Sequence, residues 1–161
     1  MLIREATAAD WPGIWPFFRE ICAAGETFTY PLHPAEEEAR ALWMVPAPAH
    51  VVVAEEAGTI LGTANMYANR AGNGAHVASA SYMVDPARQG RGTGRALVTY
   101  SRDWARAAGF RRIQYNAVVA TNTPALALYR ALGFEILGTL PEGFRHPEHG
   151  YVGLHSLHRS L

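Results

Sequence analysis

The chain has no lysine: all 14 of its basic residues are arginine. A P-loop needs Gly-Lys-Ser/Thr, with the lysine reaching the phosphates, so kinase- and GTPase-type readings built on one are excluded. Cysteine is nearly as scarce. Cys22 stands alone between Ile21 and Ala23, so no intrachain disulfide forms, and its surroundings read as those of a small buried hydrophobe rather than a nucleophile. No apolar run approaches the roughly 18–20 residues of a membrane span. No charged-then-apolar leader opens the chain, so the expected setting is reducing and cytoplasmic, with no membrane contact. Net charge is also missing, since 14 acids balance the 14 arginines. That excludes a chain-wide basic field of the kind nucleic acid binding uses. No metal is expected.

What is present fits one domain, residues 1–161, with 49% hydrophobic residues to fill a core. The neutral total hides an asymmetry. Residues 1–56 carry nine acids against three arginines, residues 57–161 eleven arginines against five acids, and seven arginines fall between Arg88 and Arg112. A basic segment in a neutral chain points to a localised anionic ligand, or to a solvated helix face.

Periodicity and punctuation give the elements. Strands are predicted over Leu2–Glu5, His50–Glu56, Thr59–Tyr67, His76–Val84, Ile113–Val119, Phe134–Thr139 and Tyr151–His158. Helices are predicted from Thr7 or Asp10 through Glu20, over Ala35–Met44, from the glycine cluster at 90–94 to about Ala108, and over Asn122–Leu132. In the third helix Leu97, Tyr100, Ser101, Trp104 and Ala108 share one face. The segment between Thr139 and Tyr151, with His146 and His149, reads as loop. The sum is an α/β (α+β) fold, a mixed, mostly antiparallel sheet of about seven strands flanked by about four helices.

The most informative stretch is Gln89-Gly90-Arg91-Gly92-Thr93-Gly94-Arg95, where a strand enters a glycine-rich turn that opens a helix. Glycines let backbone N–H groups converge, and the helix N-terminus adds positive partial charge, so the turn can hold a phosphate without lysine. Arg88, Arg91 and Arg95 would add charge-assisted hydrogen bonds, which makes a pyrophosphate the candidate ligand. The spacing is not that of a dinucleotide fold: three positions after Gly94 stands Leu97, and after Gly92 stands Arg95. About 25 residues on comes Asn122-Thr123-Pro124-Ala125-Leu126-Ala127-Leu128-Tyr129-Arg130-Ala131-Leu132-Gly133-Phe134. Asn122 reads as a helix cap or a ligand amide. Tyr129, two turns further along the same face, reads as a core aromatic or a proton donor.

Together the two segments resemble the signatures of the GNAT acetyltransferase superfamily: Gln/Arg-x-x-Gly-x-Gly/Ala, then an asparagine, a small-residue helix, Leu-Tyr and Leu-Gly-Phe. The resemblance runs from about Val51 to Phe134, and it implies the following. Acetyl-CoA is the co-substrate and lies between splayed central strands. Backbone at Met83 and Val84 meets the pantetheine, the loop from Gly90 through Gly92, Thr93 and Gly94 to Arg95 holds the pyrophosphate, and Asn122 bonds pantetheine. Tyr129 protonates the departing thiolate. The acceptor would be a small-molecule amine bounded by Glu26, Phe28 and Tyr30 of the 25–34 loop, with Arg145 opposite to hold a carboxylate. Proline-analogue and phosphinothricin acetyltransferases are the subgroups it resembles.

One departure from the family pattern concerns the base. The strands flanking the glycine loop carry Ser79 and Ala117 where a carboxylate would stand. Substitutes are a water relay through Ser79 and Ser81, or Glu26, His76, His146 or His149. A protein or peptide acetyltransferase, and a non-catalytic acyl-CoA-binding homologue, remain the alternatives. A homodimer through the C-terminal strands is open.

Overall fold

A computed structural model describes residues 1–161. Strand β1 (Leu2–Glu5) leads through a short turn into helix α1 (Trp11–Ala24), and helix α2 (Glu36–Trp43) follows an eleven-residue loop. Strands β2 (His50–Glu56), β3 (Thr59–Ala68) and β4 (Val77–Val84) form an antiparallel meander with β1 on its outer edge. Helix α3 (Thr93–Ala107), strand β5 (Arg112–Val119), helix α4 (Thr123–Ala131), and strands β6 (Glu135–His146) and β7 (Gly150–Ser160) complete it. The single sheet has the order β1-β2-β3-β4-β5-β7-β6, and only β4 and β5 run parallel. This is the mixed α/β architecture the sequence predicts.

The sheet is covered on both faces, and β2 shows how the sequence encodes that. Val52 and Ala54 pack into the cluster under α3 and α4, with Leu97, Ile113, Tyr115 and Phe134. Val51 and Val53 point the other way, into the cluster with Trp11, Ile14, Phe18 and Trp43 of α1 and α2. Side chains alternate across a strand, so an unbroken apolar run is what a two-sided strand requires. Each valine so buried contributes about 1.5–3 kcal/mol. Trp43 is buried without leaving its indole unpaired: Nε1 donates to Thr63 Oγ1 (3.0 Å), which donates to the Val52 carbonyl (2.8 Å).

Three expectations need correction. Helix α1 does not stop at Glu20 but continues to Ala24, where Gly25 takes the left-handed conformation and closes it. In α3, Ala108 is exposed and lies beyond the helix; Val98 and Ala105 take the buried face with Leu97 and Ser101. The segment after Thr139 is not a loop. β6 runs on to His146 across Pro141, Glu142 and Gly143, with a register irregularity between Leu140 and Phe144 and a positive φ at Glu142. Pairing with β7 overrides the local turn chemistry, and the bulge absorbs the extra residues.

A part-buried ion pair ties β1 to the start of α1. Arg4 Nη2 lies 2.7 Å from Asp10 Oδ1 and 2.7 Å from Glu55 Oε2, and the Thr7 N–H donates to Asp10 Oδ2 (2.7 Å). The hydrogen bond from Arg4 holds the Asp10 carboxyl at about 2, below the ordinary carboxylate range. A folded value below the unfolded one stabilises the protein above about pH 4. That contribution is lost as pH falls from about 4 through about 2. Denaturation midpoints measured from pH 5 to pH 2 should fall with acid, and Asp10→Asn should flatten the slope in that window. An unchanged slope would remove Asp10 as its source.

Candidate active site

The site begins with a backbone mismatch. β4 pairs with β3 along its whole length, from Ala68↔Ala78 to Gly62↔Val84. Its pairing with β5 stops after Val77↔Arg112 and Ala78↔Ile113. β5 instead follows β7, with an irregularity between Tyr115 and Val118. The β5-facing edge of β4 is therefore open from Ser79 to Val84. Buried peptide groups need partners, so a strand edge opened inside a sheet suits a ligand that carries its own amides.

Two cavities meet in this wedge. One of about 360 Å³ is lined by Met83, Val84, Gln89, Gly90, Gly92, Thr93 and Gly94 on one side and by Pro124, Ala125 and Leu128 of α4 on the other. The second, about 260 Å³, is lined by Ser79, Ser81, Tyr67, Tyr115, Asn116, Ala117 and the loop residues Thr27, Phe28, Thr29 and Tyr30. Thr27, Phe28, Tyr82, Asn122 and Tyr129 line both, so the two form one channel through the sheet.

At the glycine end, Gly90 and Gly92 have φ of +80° and +79°, and a Cβ added to either would meet nothing within 4 Å. The glycines are there for backbone conformation, not for space. They set the first N–H groups of the 15-residue helix α3 at the cavity wall. Thr93, in the first turn, is buried, and its hydroxyl has no partner in the protein. An unpaired buried hydroxyl beside a helix N-terminus and a free strand edge fits a phosphate-bearing, amide-bearing group such as the arm of acetyl-CoA. The arginines do not gather there. Arg88 pairs with Asp85 (3.1 Å) and borders a different cavity, with Arg4 and Asp10. Arg91 pairs with Glu56 (3.4 Å), and Arg95 is exposed on α3 outside the cavity lining.

At the waist, Asn122 caps a helix and lines both cavities. Its Oδ1 accepts the Ala125 N–H (3.3 Å) as the cap of α4, which leaves Nδ2 free in the channel. Tyr129 likewise packs and faces the channel. Its ring lies 4.9 Å from Tyr115, 5.8 Å from Phe134 and 6.4 Å from Tyr82. Burial raises the Tyr129 phenol well above its ordinary value, so it stays protonated. Tyr82 and Tyr115 were not legible as site residues; only strand alternation on β4 and β5 could have aimed them here. Their hydroxyls form a chain: Ser101 donates to the Val98 carbonyl (2.9 Å), which leaves its oxygen to accept from Tyr82 (2.5 Å), which in turn accepts from Tyr115 (2.6 Å).

At the far end the walls are neutral. Ser79 is buried in the lining, opposite Tyr67, and Ser81 lies opposite Asn65. Asn116 is held in place, since its Oδ1 accepts from Gln114 (3.0 Å) and its Nδ2 donates to Asn69 (2.6 Å). Phe28 and Tyr30 stack at 5.3 Å, with Tyr30 against Phe18, and burial pushes the Tyr30 phenol up to about 12. Arg145 is exposed beside a shallow neighbouring cavity that shares Phe28, Thr29 and Tyr30. Glu26 needs correction: it is exposed on the loop and lines neither cavity of the channel. His76 is exposed outside the lining as well. His146 uses Nδ1 to accept the N–H groups of Glu148 and His149 (3.1 and 3.3 Å), which makes it a turn-holding residue of the β6–β7 hairpin.

Comparison with known proteins places this geometry in context. Residues 15–134 match the model of the acetyltransferase (GNAT) family. A GCN5-related N-acetyltransferase from Kribbella flavida is 58% identical, covers 99% of this chain and 97% of its own, and superposes with a TM-score of 0.96. A phosphinothricin acetyltransferase from Sinorhizobium meliloti, solved in complex with AcCoA, is 28% identical with a TM-score of 0.83, over 99% of this chain and 88% of that one. The L-amino acid N-acyltransferase MnaT of Escherichia coli is 33% identical over 93 residues, 57% of this chain and 54% of MnaT. The matches span from about a third to about half of the length of the curated relatives. No helix of the structure is long and apolar enough to cross a membrane.

Proposed function

Because the chain belongs to the acetyltransferase (GNAT) family, we propose that it transfers the acetyl group of acetyl-CoA directly to the amine of a small molecule of amino-acid type. The observation that carries this is the channel itself: a free β4 edge with a glycine-bounded helix N-terminus at one end and a small neutral pocket at the other. The amino-acid substrates named for MnaT and the phosphinothricin acetyltransferase support the acceptor class. Residues 1–161 act in this reading as one acetyltransferase domain.

When bound, acetyl-CoA supplies an activated thioester carbonyl. Met83 and Val84 offer backbone groups to the pantetheine amides. The N–H groups of Gly90, Arg91, Gly92, Thr93, Gly94 and Arg95 hold the pyrophosphate, with Gln89 at the rim. Asn122 donates through Nδ2. Ser79 and Ser81 orient the amine, Phe28 and Tyr30 enclose the acceptor's body, and Arg145 holds a carboxylate at the mouth. Tyr129 gives its proton to the sulfur as the C–S bond breaks. The elevated phenol does not disqualify it, because desolvation disfavours the charged form of any acid, so a thiolate leaving inside the same channel is a stronger base there than in water. Donor and acceptor rise together, so the transfer between them is less affected than either value alone.

Thiol release from acetyl-CoA, screened against free amino acids, their amides, simple amines and peptides, tests the reading. Release with small amino-acid-type amines is expected. Release with peptides alone would move the chain to the peptide class. Tight CoA binding without release for any amine would make it a non-catalytic binder.

A further inference from the structure

Sixteen residues line the acceptor end of the channel and seventeen the cofactor end, and none in either set carries a carboxylate or an imidazole. From that wall composition we infer that the acceptor is a weakly basic amine that enters already free of its proton: an α-amine of an amino-acid derivative, not a lysine-type alkylammonium. The inference rests on the acetyltransferase reading and adds to it which amines the site accepts.

An ammonium has no lone pair and cannot attack. An enzyme that takes alkylammonium acceptors must therefore provide a group that removes the proton near neutral pH. The ionisable groups facing the acceptor end come from five elements: Tyr30 on the loop after α1, Tyr67 on β3, Tyr82 on β4, Tyr115 on β5 and Tyr129 on α4. Burial holds Tyr30, Tyr82, Tyr115 and Tyr129 above the ordinary phenol range, so they remain protonated and serve as donors rather than bases. A charged side chain, Arg145 on β6, lines the adjoining cavity that shares Phe28, Thr29 and Tyr30. That cation offers the ammonium no base: it either pairs with the acceptor's carboxylate or, with an acceptor that has none, disfavours a second positive charge. The remaining polar lining, Thr27, Thr29, Ser79, Ser81, Asn116 and Asn122, can orient an N–H but cannot keep its proton.

With a neutral amine, the reaction needs no separate base. One C–N bond forms and one C–S bond breaks. The sulfur takes the Tyr129 proton, the proton shed by the nitrogen replaces it on Tyr129, and the protein ends as it began. The selectivity is then set by solution chemistry. At pH 7.5 an α-amine of pKa about 7.7–8.0, the range of a peptide or amide, is roughly a third neutral, a free amino acid, whose carboxylate stabilises its ammonium, is less so, and a lysine-type amine near 10.4 is neutral in about one molecule per thousand. That difference favours the amide-type α-amine over the lysine-type amine by a few hundredfold.

The test is kcat/KM for the full chain from pH 6 to pH 10, read by thiol release, with an amino-acid amide, a free amino acid and Nα-acetyl-lysine as acceptors. Each profile should rise with unit slope and level off at the ionisation of its own amine, so the break moves from one acceptor to the next. A break at one fixed pH for all acceptors would reveal a base on the protein and overturn the inference while leaving the acetyltransferase reading intact. Glu26→Gln examines the one loop carboxylate: the breaks should stay in place, and a displaced or abolished break overturns the inference. Absence of release with every amine would overturn the inference and the acetyltransferase reading together.

Discussion

Tyr129→Phe should lower kcat by about 100-fold or more while leaving the KM for acetyl-CoA nearly unchanged. A general acid contributes about 10²–10⁴ in rate, because it neutralises the leaving group in the transition state and not in the ground state. The substitution removes one oxygen and keeps the ring that packs on Tyr115 and Phe134. The hydroxyl makes no hydrogen bond within the protein, so its loss leaves no buried partner unsatisfied, and the melting temperature should move little. Because burial holds the phenol above its ordinary value, the wild type should not lose kcat through this group up to about pH 10. Steady-state kinetics with a thermal melt decide the matter. A reduced kcat with an unchanged melt assigns the acid; an unchanged kcat removes Tyr129 from that role and leaves it a core aromatic.

How much of this was legible in advance depends on whether a feature is local. Gly90 and Gly92 could be placed from sequence because their conformation is set by residues next to them. Asn122 was legible as a cap for the same reason, three positions before the N–H it accepts. The valine run of β2 announced burial on both faces, since alternation is a property of the strand itself. Features fixed by distant segments were not legible. The bend that parts β5 from β4 arises where β5 follows β7, some forty residues away, and it brings Tyr115 beside Tyr82. The extension of β6 through Pro141-Glu142-Gly143 depends on the same partner strand.

The arginines and Glu26 show a related limit. Charge clustering in the sequence located the glycine loop, yet Arg88 and Arg91 turn to Asp85 and Glu56, and the lining of the cavity is left to backbone N–H groups. Long side chains choose among partners by geometry, and position along the chain does not report that choice. Glu26 sits in a loop of which Thr27, Phe28, Thr29 and Tyr30 all reach the channel, but it points outward from it. Sequence proximity therefore brings the loop to the channel without reporting which of its residues line it.

If backbone amides carry the phosphate contact, a charge placed among them should be more damaging than the loss of any arginine. Gly92→Asp is expected to weaken CoA binding by roughly a thousandfold. A like unit charge at about 4 Å from a phosphate costs about 4 kcal/mol at an effective dielectric of 20, or close to three powers of ten in affinity. The fold should survive. A Cβ at position 92 meets nothing within 4 Å. Aspartate tolerates the left-handed conformation better than most residues, and a carboxylate at the start of α3 is favoured by the helix dipole when CoA is absent. Gly92→Ala separates charge from backbone strain: it bears a conformational cost of about 1 kcal/mol without adding a charge. Titration of CoA by calorimetry, with circular dichroism as the check on folding, should show the alanine variant binding within about tenfold of wild type and the aspartate variant far weaker. Equal affinities for the two variants would mean that no phosphate lies at this turn, and the anion site would have to be sought at Arg95 and the outer face of α3.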